Sequence, residues 1–270
     1  MLKYILREKE TRQSIYGVAG NHAHDILEDF YTGKLNYEDL IKKYEMKLYE
    51  MELAELKYDR CDGDKNKTIA EKYETNMRLF FQEHKPVEGK VLCEQFVTIK
   101  VGDYIFQGYI DFLNKEDDTY IITDFKTSTI YTGKKIEKER GQLVLYAESL
   151  VQRGVPLNKI KIRWNFLKYT KVNIKTRTKV GKEGEKSKNC LRWDWVQDIS
   201  KDIERLFKNV GNDEYDELEM QDMIQTSCEK NSIENLPDFI KERISKEDCY
   251  VDIPLGQDVI DDLKFDIIRT

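Results

Sequence analysis

The sequence predicts an α/β protein with a mixed central β-sheet flanked by helices and an additional acidic C-terminal region. Three observations carry this. Apolar residues recur at helical spacing over the first third of the chain. Strand-like runs take over from Val91 to Lys126. A helical segment then separates those runs from further alternating strands.

Taken in order, His24, Ile26, Leu27, Phe30 and Tyr31 predict a helix over 22–31. Further helices are expected over 36–58 and 66–83, separated by the turn-rich CDGDKN at 61–66. Residues 91–101 (VLCEQFVTIKV) and 104–113 (YIFQGYIDFL) read as strands, and VGD at 101–103 makes them a hairpin. TYIITDFK at 119–126 is a third strand, followed by a charged loop at 132–140. Leu143, Leu145, Tyr146, Leu150 and Val151 give 141–153 the apolar face of a helix, with Gly154 as its stop signal. Ile160, Ile162, Trp164 and Phe166 alternate with polar residues in a fourth strand over 160–168, and a fifth is expected over 171–180. A Lys- and Gly-rich loop then leads to Trp193-Asp194-Trp195. Beyond it, 196–209 and 236–245 read as helical and 250–255 as a short strand. The expected organisation is a domain over 1–193 with a helical N-terminal part, and an acidic region over 194–270 packed on it.

Composition narrows the class. The 270 residues are 40% hydrophobic and 36% charged, which suits a globular protein with a highly charged surface. The apolar stretches fall short of a membrane span, and the first ten residues lack the apolar core of a secretory signal, so a cytoplasmic location and no membrane partner are expected. Five cysteines, at 61, 93, 190, 228 and 249, form no CxxC pair, which disfavours a structural zinc site and an iron–sulfur cluster. They read as reduced thiols in a reducing compartment. The net charge of −6 is uneven: residues 194–270 carry 21 acids and 9 bases, leaving 30 acids and 36 bases in 1–193. A generic polycation is excluded, but a localised basic surface is not. Lys168 to Lys188 is the densest basic stretch, with eight Lys or Arg against Glu183 and Glu185.

Three residues draw attention as chemistry. Asp111 lies in the second strand and Asp124 in the third. Lys126 follows Asp124 by two and leaves the same strand face. An acid and a lysine so spaced are commonly a solvated surface pair. Here Ile121, Ile122 and Phe125 mark an interior strand, where charges need a partner or an ion. Two neighbouring carboxylates repel unless a cation joins them, and hard oxygen ligands favour Mg²⁺ or Mn²⁺. Such a cation polarises phosphoryl oxygens and acidifies water, as phosphodiester hydrolysis requires.

With these residues in view, Gly20-x-x-x-His24-x-x-Leu27-Glu28, Gly108-Tyr109-Ile110-Asp111, Asp124-Phe125-Lys126-Thr127-Ser128 and Gln142-x-x-x-Tyr146 together resemble the RecB-type branch of the PD-(D/E)XK nucleases. That branch includes CRISPR-associated RecB-like and phage exonucleases. The resemblance spans residues 20–146, about half the chain. It implies a restriction-endonuclease-like core. It makes His24, Asp111, Asp124 and the backbone carbonyl of Phe125 metal ligands, with Asp111, Asp124 and Lys126 catalytic. It places Gln142 and Tyr146 on the substrate, on one helix face. Glu28, one turn after His24, reads as an orienter of that histidine or as an ordinary exposed acid. Glu94 in the first strand reads as facing the metal or as solvated.

The implied activity is a Mg²⁺- or Mn²⁺-dependent DNA exonuclease in replication, recombination or phage DNA processing. Its DNA partner has a free end or a single-stranded segment. A structure-specific endonuclease or nickase is an alternative. So is a non-catalytic DNA-binding or assembly subunit. The acidic region suggests a docking surface for a protein partner or a DNA mimic that limits access. The basic stretch reads equally as a DNA track or as a solvated hairpin. Tyr131 and the loop after it are expected near the entering strand, where an aromatic can stack on a base. Trp164, Trp193 and Trp195 are expected in the core.

Overall fold

The computed structural model describes residues 14–56, 58, 64–211 and 215–269. The expected α/β class is found: a mixed six-stranded sheet with helices around it. Helix α1 (Ile15–Tyr31) begins about two turns earlier than its periodicity predicts. Ser14 caps it by accepting from the Gly17 amide, and Ile15, Ala19, Ala23, Ile26 and Leu27 form its buried stripe. A short 3₁₀ turn then leads into α2 (Leu40–Leu53), which is shorter than the expected 36–58. Helix α3 (Asp64–Glu83) starts inside the predicted turn at 61–66, whose first three residues lie outside the described set.

Strands β1 (Val91–Val101) and β3 (Thr119–Lys126) have the predicted bounds, and β2 (Tyr104–Glu116) runs three residues further. All three pair antiparallel as a meander. Ile121 to Phe125 are buried without alternation, the signature of a strand covered on both faces. The charged segment expected as a loop contains a short helix, α4 (Lys134–Glu139), and α5 (Gly141–Gln152) follows it. These helices join β3 to its sheet neighbour β4 (Ile160–Arg177).

The predicted fourth and fifth strands are one 18-residue strand, because Thr170, Val172 and Ile174 continue the buried alternation. The Lys- and Gly-rich segment expected as a loop is strand β5 (Glu183–Leu191), paired antiparallel with β4. Helix α6 (Trp195–Val210) matches expectation. Helix α7 (Glu217–Lys230) was not anticipated, nor was α9 (Gln257–Arg269). The helix expected over 236–245 shrinks to α8 (Asp238–Lys241), and β6 (Ile244–Ile253) is longer than its predicted 250–255.

The chain forms two compact units. The first comprises residues 1–74, 86–164 and 252–270. In it α1 packs on α2 and β1, α5 packs on β1 and β3, and α9 packs on α5 and β1. Lys264 of α9 pairs with the buried Glu148 of α5 at 2.7 Å. The second unit comprises residues 75–85 and 165–251. Its core is built on Val172, Ile174, Ile199, Ile203 and Leu206, with α7 packed on α6. No helix of the described residues is long and apolar enough to cross a membrane.

In the second unit the basic stretch sits on the β4–β5 hairpin, and several of its bases are engaged by acids. Lys171 meets Glu247 at 2.9 Å, Lys186 meets Asp202 at 2.7 Å, and Lys188 meets Asp198 at 3.4 Å. Trp164 and Trp195 are buried as expected, whereas Trp193 is half-buried. Tyr131 is buried edge-on against Trp164 with Lys135 over its ring, so it presents no free face for a base.

Candidate active site

The site forms in the first unit, where β2 and β3 part. Their ladder runs to Phe112 opposite Thr123, and the next residues along the two strands are Asp111 and Asp124. The Phe125 amide donates to Asp111 Oδ2 at 3.2 Å, a side-chain bond in place of a strand-to-strand one. Lys126, on the same face as Asp124, pairs with its Oδ2 at 2.6 Å and is held by the nearly buried carboxylate.

Helix α1 brings His24 to this point. Its Nε2 donates to the Phe125 carbonyl oxygen at 2.9 Å, and its Nδ1 faces Asp111 Oδ2 at 3.4 Å. Burial holds His24 below its usual pKa and so favours the neutral imidazole, the form that binds metals. Both ring nitrogens are thus engaged without Glu28, whose carboxylate lies 3.8 Å from Lys34.

Glu94 completes the cluster from β1. Cys93 pairs with Phe112 and Gln95 with Ile110, which leaves Glu94 opposite Asp111. Glu94 has φ of 46°, a left-handed conformation that costs a residue with a Cβ roughly 1–3 kcal/mol and concentrates at functional sites. One ligand atom each from His24, Glu94 and Asp111 lies within 4.8 Å of the others.

Electrostatics mark this cluster as short of positive charge. Burial, together with the Asp124 carboxylate, pushes Asp111 up to about 8. Burial and the neighbouring Glu28 and Asp25 also raise Glu94. Burial disfavours charge on Lys126, but Asp124 outweighs it and holds the ammonium above its usual pKa. Two carboxylates, an imidazole and a nearby backbone carbonyl are a donor set that fits a divalent cation.

Gln142 and Tyr146 lie together on α5, with Gln142 Nε2 donating to the Tyr146 hydroxyl at 2.8 Å. The charges of Asp111, Asp124 and Glu94 all act on Tyr146, and burial raises its pKa. The Tyr146 ring lies against Gly108, where an added Cβ would meet its ring and hydroxyl at 3.1 Å. That approach gives the glycine of Gly108-Tyr109-Ile110-Asp111 a physical reason.

His24, Glu94 and Asp111 cluster beside the Asp124–Lys126 pair and the Phe125 carbonyl, Gln142 and Tyr146 pair with each other on α5, and the Glu28 carboxylate lies toward Lys34. The open question at Glu94 had a usable signal. Pairing Val101 with Tyr104 across the predicted turn, and counting back along both strands, sets Glu94 against Asp111. Its positive φ had none.

An α/β core that gathers carboxylates, an imidazole and a lysine where its central strands part has the build of a metal-dependent nuclease. Residues 1–233 match the family model of the PD-(D/E)XK nuclease superfamily, and the chain belongs to that superfamily. No curated protein matches the sequence.

Proposed function

We propose that the chain is a Mg²⁺- or Mn²⁺-dependent DNA exonuclease of the RecB-like branch, acting on ends in replication, recombination or phage DNA processing. The observation that carries this reading is the convergence of His24, Glu94 and Asp111 beside the Lys126–Asp124 pair. His24, Glu94, Asp111, Asp124 and the Phe125 carbonyl are the groups that would hold the cation. The imidazole tilts the preference toward Mn²⁺. When bound, the cation supplies Lewis-acid polarisation of a phosphoryl oxygen and acidifies water. Lys126, oriented by Asp124, offers an ammonium that holds the attacking water and offsets charge gathering on the phosphate. Gln142 and Tyr146 contact the nucleotide at the site. Restriction to ends rests on the resemblance in motif order over residues 20–146.

The test compares linear and covalently closed circular DNA with Mn²⁺, with Mg²⁺ and with EDTA. Linear DNA should be degraded with metal and spared with EDTA, and the circle should stay intact. Lys126→Ala should lower the rate by roughly a hundredfold or more. Full activity in purified Lys126→Ala protein would remove this mechanism, and cutting of the circle would make the enzyme an endonuclease.

A further inference from the structure

We propose that Phe96 and Tyr109 form a stacking platform for an unpaired nucleobase of the substrate, one residue row from the carboxylates. The inference rests on the nuclease reading above and specifies which form of nucleic acid the site prefers. Tyr109 precedes Asp111 by two on β2, so both side chains leave the same face. Phe96 is the strand partner of Tyr109 and follows Glu94 by two on β1. The rings touch, with centroids 5.3 Å apart and planes tilted by 55°. Neither is spent on a core: Phe96 is 43% exposed and Tyr109 is 55% exposed. Two residues of strand put them about 7 Å along from the Glu94–Asp111 row. That is within reach of a base attached to, or next to, a phosphate at the carboxylates.

The surroundings select the occupant. The next row on this face, Thr98 and Gln107, is exposed and polar and separates the two rings from the row beyond, where Lys100 pairs with the exposed Ile105. The apolar patch beside the carboxylates is therefore about two rings wide, the size of a base. A protein partner's apolar face would need more continuous apolar area. The patch also continues directly from the site itself. A base inside a duplex has its faces covered by its neighbours, so only an unpaired nucleotide can present one to these rings. The platform thus favours a single-stranded end or overhang, without selecting sequence, because every base has a stackable face.

The test uses single-stranded oligonucleotides carrying 2-aminopurine, whose fluorescence falls on stacking, at successive positions from the end. Binding is read in Ca²⁺ and cleavage in Mn²⁺. Wild type and Tyr109→Phe should quench the probe at one or two adjacent positions. The doubly substituted Phe96→Leu, Tyr109→Leu chain should not. Its KM for single strands should rise roughly ten- to a hundredfold, with a smaller change in kcat. Leucine keeps apolar bulk at two exposed positions, so the melting temperature of the double variant should match wild type, and Tyr109→Phe should restore the wild-type KM. If wild type cleaves DNA while the double variant keeps its quench and its KM, the platform is wrong and the nuclease reading stands. Quenching that depends on both rings without any cleavage would keep the platform and remove the nuclease reading. Absence of both would remove both. A dimer that dissociates in the double variant, with DNA binding unaltered, would give this face to a second copy and overturn the platform.

Discussion

Each unit of the molecule holds a histidine beside an aspartate, and the two pairs behave oppositely. In the first unit His24 faces Asp111 at 3.4 Å. In the second, His84 Nδ1 meets Asp248 Oδ2 at 3.1 Å. Burial would raise both aspartates. At Asp248, His84 and Arg192 outweigh burial and hold the carboxyl below its ordinary range. Arg192 itself bonds Asp248, Glu83 and the Leu167 carbonyl, and Lys246 closes the network on Glu83 at 2.8 Å. At Asp111 burial is joined by the charge of another carboxylate, Asp124, and the group is driven up to about 8. A buried acid matched by cations contributes to the fold, whereas a buried acid facing another acid costs stability and suits a site that takes a cation.

The largest contrast should come from removing one partner in each unit. Arg192→Leu strands Asp248 in a buried place, and the folded state should lose about 3–5 kcal/mol in urea unfolding. Asp111→Asn keeps an acceptor for the Phe125 amide and relieves carboxylate repulsion, so it should lose no stability. Its cleavage rate should nevertheless fall by about a thousandfold or more, the several kcal/mol a metal site contributes. Equal stability losses in both variants would erase the distinction between the units.

Legibility differed between the units for physical reasons. Around the site, the turn between Val101 and Tyr104 fixes the register, and the dense apolar run of β3 marks an interior strand, so the order of Asp111, Asp124 and Lys126 could be read directly. In the second unit, β5 alternates Lys, Glu, Gly and Ser with one buried Cys190 near its end, and nothing but its pairing with β4 identifies it as a strand. Helix α7 has a weak apolar stripe, yet Asp216 and Glu219 form a reciprocal capping box that marks its start in the sequence. Glu94 was legible as an acid on a strand, but its backbone conformation depends on tertiary packing that no local pattern carries.

A smaller effect tests the charge argument through pH and metal. The folded pKa of Asp111, about 8, lies above the unfolded carboxylate value of about 4. Between them the folded state binds more protons, so this group's contribution to stability falls as pH rises through that window. The depressed Asp248 has the opposite sign: its contribution is present above the ordinary carboxylate range and is lost as pH falls through its folded pKa. Without metal, Asp111→Asn should therefore melt a few degrees above wild type at pH 8, with the gap closing near pH 4. Mn²⁺ at about a hundredfold over Kd should raise the wild-type stability by about 2.7 kcal/mol and leave Asp111→Asn nearly unmoved. A wild type more stable than the variant at pH 8 without metal would show that the carboxylates do not repel.

The smallest effect isolates the backbone at Glu94. Its φ of 46° is accessible to glycine without penalty and costs other residues. Comparing Glu94→Gly with Glu94→Ala removes the carboxylate in both and changes only the tolerance of the left-handed conformation. Glycine should be more stable than alanine by about 1 kcal/mol in metal-free urea titrations, against the usual disadvantage of glycine in a strand. Both variants should bind Mn²⁺ more weakly than wild type, because each has lost one member of the cluster. If alanine proves the more stable, the strain is absent and Glu94 reaches the cluster at no cost. If glycine wins and metal binding still falls, the strain belongs to the same unmatched site as the carboxylates, and the first unit has given up stability at two points to hold its ligands in place.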